Sequence, residues 1–278
     1  MKNTLINVLQ AGAQKLAAAH IDEAQANAEF LLAAVLNRPR TWLSFNSAVQ
    51  MRGEEIERYD KAVALRITGV PLAYITGTQD FCGHTFFVDE DVLIPRPETE
   101  ELVERSIKQL KTPRRLLDMC TGSGAIACAL AMKFRAAEVI GVDSSPAALL
   151  TAQKNADKFK LSVQFIYGDL FENIFGTFDA IISNPPYVPS AEIDNLSAEI
   201  KREPRAALDG GADGLDIITQ IILYAPDFLE PGGLLALEFG INQEEKIKQI
   251  FDKNIWDNIN VEKDFAGVNR FIFARKHG

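Results

Sequence analysis

The sequence predicts an α/β fold: a mostly parallel sheet with helices on both faces, preceded by a small helical bundle and a β-hairpin linker. Three observations predict it. Up to about Thr68, apolar residues recur at three- and four-residue spacing, the period of one helix face. From about Arg96, short apolar runs alternate with helical stretches, the pattern of strand–helix units that build a parallel sheet. Between them, residues 76–95 alternate with a period of two, with Gly77 and Cys82-Gly83-His84 as turns. The expected organisation is therefore a helical domain over 1–75, a hairpin linker over 76–95 and an α/β domain over 96–278.

In the helical part, Leu5 and Leu9, then Ala24, Ala28, Leu31, Leu32, Val35 and Leu36, then Ile56, Tyr59, Val63 and Ile67 mark the buried faces. Asn37-Arg38-Pro39 and Arg52-Gly53 interrupt them, giving four or five short helices. Such a bundle is either a stabilising cap or a platform for a macromolecular substrate, and the second is favoured because such a substrate needs more surface than a cofactor fold offers.

The first strand, Arg115 to Cys120, runs into the glycine turn Thr121-Gly122-Ser123-Gly124 and a small-residue helix from Ala125 to Met132. A strand, glycine loop and helix let a ligand approach the backbone at a helix N-terminus. The second strand, Glu138 to Asp143, ends in an acid 19 positions after Gly124, placed to accept from two ribose hydroxyls. Ser144-Ser145-Pro146 then supplies cap candidates and a first-turn proline for the next helix. Further strands are expected near 163–167, 178–183 and 233–239, with an antiparallel pair near 259–264 and 269–275 at the edge. The segment from Val188 to about Asp216, rich in Asp, Glu, Gly and Pro, reads as a long functional loop. Ligands bind at the carboxyl ends of such strands, which gathers Cys120, Asp143, Asp169 and Asn184 on one rim. The nucleoside site suits NAD and S-adenosylmethionine alike.

Asn184-Pro185-Pro186-Tyr187, directly after the strand Phe178–Ser183, separates the two. Two consecutive prolines fix φ and carry no N–H, so the turn offers carbonyl acceptors without competing donors. An Asn oxygen beside a bare carbonyl can accept both hydrogens of a planar NH2 group, and the Tyr187 ring can cover its face. Alone, the tetrapeptide is equally an ordinary strand-to-loop turn. A hydride enzyme usually needs an acid or base near its carbonyl, yet His20, His84 and His277 lie outside every motif. Methyl transfer from a sulfonium needs mainly an oriented nucleophile.

On these residues the chain resembles the S-adenosylmethionine-dependent amino-methyltransferases. Leu72-Ala73-Tyr74-Ile75-Thr76-Gly77, Phe81, Phe87-Val88, Leu93-Ile94-Pro95-Arg96-Pro97-Glu98-Thr99-Glu100 and Arg202-Glu203-Pro204-Arg205-Ala206-Ala207-Leu208 are similar to the signature of the HemK/PrmC glutamine methyltransferases over essentially the whole chain. The resemblance implies a Rossmann-like class I methyltransferase sheet and methylation of the glutamine N5 in the Gly-Gly-Gln loop of class-I peptide chain release factors. Under it, the backbone of Cys120, Thr121, Gly122, Ser123 and Gly124 surrounds the methionine part of S-adenosyl-L-methionine. Asp143 holds the ribose, Asp169 and Leu170 flank the adenine, and Asn184 touches the cofactor as well as the substrate. Asn184 and Pro185 accept the amide hydrogens, Pro186 and Tyr187 complete the substrate contact, and S-adenosyl-L-homocysteine is the product. The transfer calls on no metal. Cys120 departs from the glycine of many members; with nothing basic beside it, a reactive thiol there is not expected. Arg96, Glu98 and Glu100 are either surface charges or parts of a structural clamp at the rigid entry Ile94-Pro95-Arg96-Pro97, while Glu203 and Pro204 are candidates to brace the catalytic loop. Two alternatives stay open: the same chemistry on a ribosomal-protein glutamine or a nucleic-acid adenine, and a binding module or NAD oxidoreductase on the same fold.

Composition agrees with a cytoplasmic enzyme. The chain has 278 residues, 47% of them apolar, enough for one large core and a smaller one. No apolar stretch approaches the roughly 18 residues of a membrane span, and the N-terminus lacks a signal-peptide pattern. Three cysteines without metal-ligand spacing argue against a disulfide framework or zinc site. The formal net charge is −9; residues 1–75 hold 8 Lys/Arg against 7 Asp/Glu, and residues 76–278 hold 21 against 31. An acidic catalytic part repels a phosphate backbone, which argues against nucleic acid as partner. A monomer without membrane attachment is expected.

Overall fold

Five helices open the chain in the computed structural model, which describes residues 3–278. They are α1 (Leu5–Ala18), α2 (Ala24–Leu36), α3 (Arg40–Phe45), α4 (Gly53–Ile67) and α5 (Leu72–Thr76). Their apolar faces meet around Leu5, Leu9, Leu31, Leu32, Tyr59 and Val63. Each such side chain contributes about 1.5–3 kcal/mol by leaving water. Ile67, expected on the buried face, is exposed at the last turn of α4. Helix α2 stops because Asn37 takes a left-handed conformation (φ 51°) and Pro39 follows.

The chain forms two units: one runs to Thr78 and takes in Ser197–Arg202, the other comprises Gln79–Leu196 and Glu203–Gly278. In the first, the buried Arg66 explains the inserted piece. Its Nε donates to Asn27 Oδ1 at 2.8 Å, and its Nη2 pairs with Glu199. Periodicity has no means of finding that segment, because Glu199 reads like any surface acid.

The second unit begins with the hairpin of β1 (Thr78–Phe81) and β2 (His84–Phe87). Cys82 (φ 48°) and Gly83 (φ 74°) both take positive φ, as a two-residue hairpin turn requires. Seven strands form the main sheet: β3 (Arg115–Met119), β4 (Glu138–Asp143), β5 (Val163–Tyr167), β6 (Phe178–Ser183), β7 (Leu229–Glu238), β8 (Trp256–Lys263) and β9 (Asn269–Lys276). Their order is β5-β4-β3-β6-β7-β9-β8, with β3 to β7 parallel and β9 antiparallel to both its neighbours. Strand β7 starts four residues before the apolar run that predicts it, because Leu229 pairs with Phe178 ahead of a bulge. Pro231-Gly232-Gly233 masks that start in the sequence.

Helices cover both faces: α6 (Pro97–Gln109), α7 (Ala125–Lys133) and α8 (Pro146–Phe159) on one, α9 (Asp216–Phe228) and α10 (Glu244–Ile250) on the other. Leu117, Met119, Ile181 and Leu235 point into one core, Leu116, Ala180, Ile182 and Leu234 into its opposite. Burial on both sides is why these strands read as continuous apolar runs. Strand order reverses between β3 and β6, which makes their carboxyl ends the switch point of the sheet. There Met119 lies beside Val142 and Ser183, and Asp143 beside Tyr167. Among the described residues no helix is long and apolar enough to cross a membrane.

Candidate active site

The loop from β3 to α7 is shaped by left-handed residues: Cys120 (φ 58°), Gly122 (φ 52°) and Gly124 (φ 75°). A Cβ on Gly124 would sit 3.0 Å from the Ala152 Cβ and 3.1 Å from the Phe165 ring, so conformation and space both demand glycine. The side chains of this loop turn inward. Thr121 donates its hydroxyl to Asp118 Oδ2 at 2.5 Å, and the Ala127 N–H donates to the same oxygen at 3.0 Å. Burial nevertheless pushes the Asp118 carboxyl up to about 7. Ser123 is buried, and its carbonyl accepts from the Asn155 amide at 2.9 Å, while Asn155 also exchanges hydrogen bonds with the Phe87 backbone.

A cavity opens beside this loop at the switch point. Cys120, Gly122, Asp143, Asp169, Leu170, Asn184 and Pro186 line it, whereas Thr121, Ser123, Gly124, Pro185 and Tyr187 do not. Asp143 accepts the Gly122 N–H at 2.8 Å and the Ser145 N–H at 2.9 Å. A carboxylate has about four lone-pair positions, so these backbone bonds leave acceptor capacity for a ligand. Burial raises the Asp143 carboxyl, and those backbone donors oppose the rise. Asp169 is exposed at the end of β5, and Leu170 beside it is buried. Val142, Leu170 and Ile217 add apolar wall, so the Asp143 carboxyl stands among apolar surfaces. Linker residues Asp91, Val92 and Leu93 line the cavity too, as do Pro204, Ala206 and Ala207 from the long loop. Among the described residues no cluster of His, Cys, Asp or Glu is arranged to hold a metal ion.

Asn184 is held from behind. Its Nδ2 donates to Thr99 Oγ1 at 2.9 Å, and Thr99 donates to Glu238 Oε2 at 2.7 Å. The Tyr187 hydroxyl donates to the other Glu238 oxygen at 3.2 Å. Asn184 Oδ1 is buried with no partner in the protein. Burial pushes the Glu238 carboxyl up to about 7, against the pull of both hydroxyls and of Arg270. Burial also raises the Tyr187 phenol, and the Glu238 charge adds to the rise. The Tyr187 carbonyl accepts from Gln243 Nε2 at 2.9 Å, and Gly214 packs on it so closely that a Cβ would stand 2.2 Å from its oxygen. Upstream, Arg96 pairs with Glu203, whose carboxylate also accepts the Ile94 N–H at 3.0 Å, tying the start of α6 to the long loop.

Glu238, Gln243, Asn155 and Asp118 are structural parts of the site that the sequence reading assigns no role. Glu238 carried a usable signal, since it closes the apolar run Leu234–Leu237 as Asp143 closes β4. Gln243 and Asn155 carried none.

Burial, with the neighbouring Asp143 and Asp118 carboxylates, pushes the Cys120 thiol well above its ordinary range. Alkylation at neutral pH is expected to be slow beside a free thiol, as mass spectrometry of the native protein can measure. Cys120 already bears the left-handed backbone cost of about 1–2 kcal/mol for an L residue, so Cys120→Gly should melt at or above wild type, whereas β-branched Cys120→Val should melt below it.

Residues 99–214 match the methyltransferase small domain and residues 7–77 the PrmC N-terminal domain. The T. thermophilus 16S rRNA N2 G1207 methyltransferase, solved with AdoMet and guanosine, shares the fold at a TM-score of 0.53 and 22% identity, over 72% of this chain and 50% of its own. A mostly parallel sheet with a cavity at its switch point and one antiparallel strand between β7 and β8, in a chain matching the methyltransferase small domain, has the fold of a class I S-adenosylmethionine-dependent methyltransferase. The release factor glutamine methyltransferase of Geobacter sulfurreducens is 40% identical over 94% of this chain and 92% of its own length. That of Koribacter versatilis is 38% identical over 98% and 99%. The chain belongs to the release factor glutamine methyltransferase family.

Proposed function

We propose that this chain methylates the side-chain amide nitrogen of the glutamine in the Gly-Gly-Gln loop of class-I peptide chain release factors. The observation that carries the reading is the Asn184 carboxamide, fixed through its nitrogen and left with a buried, unpartnered oxygen beside the nucleoside cavity. S-adenosylmethionine, when bound, supplies an electrophilic methyl group on a sulfonium. Asp143 accepts from its ribose, the backbone of Cys120–Gly124 borders its methionine part, and Asp169 and Leu170 flank its base. A glutamine nitrogen is a poor nucleophile because its lone pair is delocalised into the carbonyl. Asn184 Oδ1 and the Pro185 carbonyl accept its two hydrogens and turn the lone pair toward the methyl, while Pro186 and Tyr187 bound the amide. The nitrogen–carbon bond forms as the carbon–sulfur bond breaks, and the nitrogen then releases a proton to solvent. That proton is very acidic, so orientation rather than a strong base carries the step.

The N-terminal helical unit is proposed to receive the protein substrate, with the enzyme acting as a cytoplasmic monomer. Incubation with labelled S-adenosylmethionine and separate candidates (a release factor, ribosomal proteins, nucleic acid), followed by mass mapping, tests the assignment. Label on the Gly-Gly-Gln glutamine is expected; label only on another substrate refutes it. S-adenosylmethionine should also raise the melting temperature, by about 2.7 kcal/mol of stabilisation at one hundred times its dissociation constant. Asp143→Ala should weaken that stabilisation, and an unchanged shift in the variant would remove Asp143 from the ribose site.

A further inference from the structure

We infer that Thr99 and Glu238 are positioning residues for methyl transfer, dictating which end of the Asn184 carboxamide faces the substrate. The inference rests on the reading that Asn184 accepts a substrate hydrogen. An Asn side chain presents an oxygen at one end and an NH2 of nearly equal shape at the other, and half a turn about its last bond exchanges them. Only the oxygen can receive a hydrogen from the amide to be methylated. Nothing in Asn184-Pro185-Pro186-Tyr187 itself chooses between the two.

The choice is made by a chain of hydrogen bonds that runs in one direction. Glu238, at the end of β7, is 1% exposed, and an ionised carboxylate only accepts. Its Oε2 takes the single hydroxyl hydrogen of Thr99 at 2.7 Å, and its Oε1 takes that of Tyr187 at 3.2 Å. Burial opposes the charge, and so does Glu98, while the two hydroxyls and Arg270 favour it. With the carboxyl pushed up to about 7, the directed chain belongs to the ionised form, populated above that pH. With its hydrogen committed to Glu238, Thr99 offers Asn184 only lone pairs at 2.9 Å. The NH2 can meet a lone pair there; the reversed amide would set two acceptors against each other. Asn184 Oδ1 is thereby turned away from Thr99, to where it has no protein partner. One buried acid thus orients two members of the site, Asn184 through Thr99 and Tyr187 directly.

Single-turnover kinetics at saturating cofactor test this in a double-mutant cycle. Thr99→Val should slow transfer about tenfold, the factor expected from losing about one hydrogen bond. Cofactor affinity should be unchanged, and Thr99→Ser should restore the rate. Glu238→Gln, whose amide can donate to Thr99 and free its hydrogen for Asn184, should reproduce the loss. In an Asn184→Ala background, Thr99→Val should have no further effect, because Thr99 acts through an amide that is no longer there. The same loss in that background, or none in the wild-type background, overturns the inference while leaving Asn184 as the acceptor. Wild-type transfer by Asn184→Ala overturns the reading beneath it. Should Thr99→Val not fold, as judged by cofactor-induced thermal stabilisation, Thr99→Ala carries the same comparison.

Discussion

Asn184→Ala is expected to slow methyl transfer by about two to three powers of ten, the usual cost of deleting one oriented polar group at a reacting centre. Cofactor affinity should survive, because the cavity keeps Asp143 and the β3–α7 loop. Asn184→Asp is the sharper variant. It retains an acceptor toward the substrate but places a second acceptor against the Thr99 oxygen, whose hydrogen is committed to Glu238. A trace of activity above the alanine variant is expected. Single-turnover measurement at saturating cofactor isolates the step. Near wild-type rates in both variants would reduce Asn184 to a turn residue.

Gly214→Val is expected to produce the largest loss of stability among single changes near the site. The residue has φ +77°, and its Cβ would stand 2.2 Å from the Tyr187 carbonyl oxygen and 2.5 Å from Gln243 Nε2. The left-handed backbone costs about 1–2 kcal/mol for any L side chain, and overpacking adds about 1–3 kcal/mol. The Tyr187 carbonyl must shift or release Gln243, so the rate should fall together with the denaturant midpoint. A variant with the wild-type midpoint in urea would show that the loop yields freely, and that it does not brace the tetrapeptide.

Most of the sheet was legible because its strands are buried on both faces and the glycine loop, Asp143 and the Asn-Pro-Pro-Tyr turn punctuate it locally. Errors fell where a partner strand sets the limits. Leu229 joins β7 only because Phe178 pairs with it, and no local signal survives Pro231-Gly232-Gly233. The chain's own order likewise offers no clue that Ser197–Arg202 clusters with the helices rather than with the sheet. Deletion of residues 1–75 would therefore strip Glu199 of Arg66.

By itself the sequence determined the α/β class, the helical unit ahead of it, the rim carrying Cys120, Asp143, Asp169 and Asn184, and the Asn-Pro-Pro-Tyr turn on that rim. These follow from local physics: hydrophobic period, positive-φ positions, prolines without N–H groups and an acid at a strand end. Only the tertiary structure decided how that chemistry is held. Thr99 and Glu238 lie 85 and 139 positions apart from their partners in sequence, yet meet at 2.9 and 2.7 Å. Gln243 reaches the Tyr187 carbonyl across 56 positions, and Glu203 reaches Ile94 and Arg96 across 109 and 107. A hydrogen bond between distant residues leaves no periodic or compositional trace. Its direction depends on the protonation state of a carboxyl that folding buries and raises to about 7.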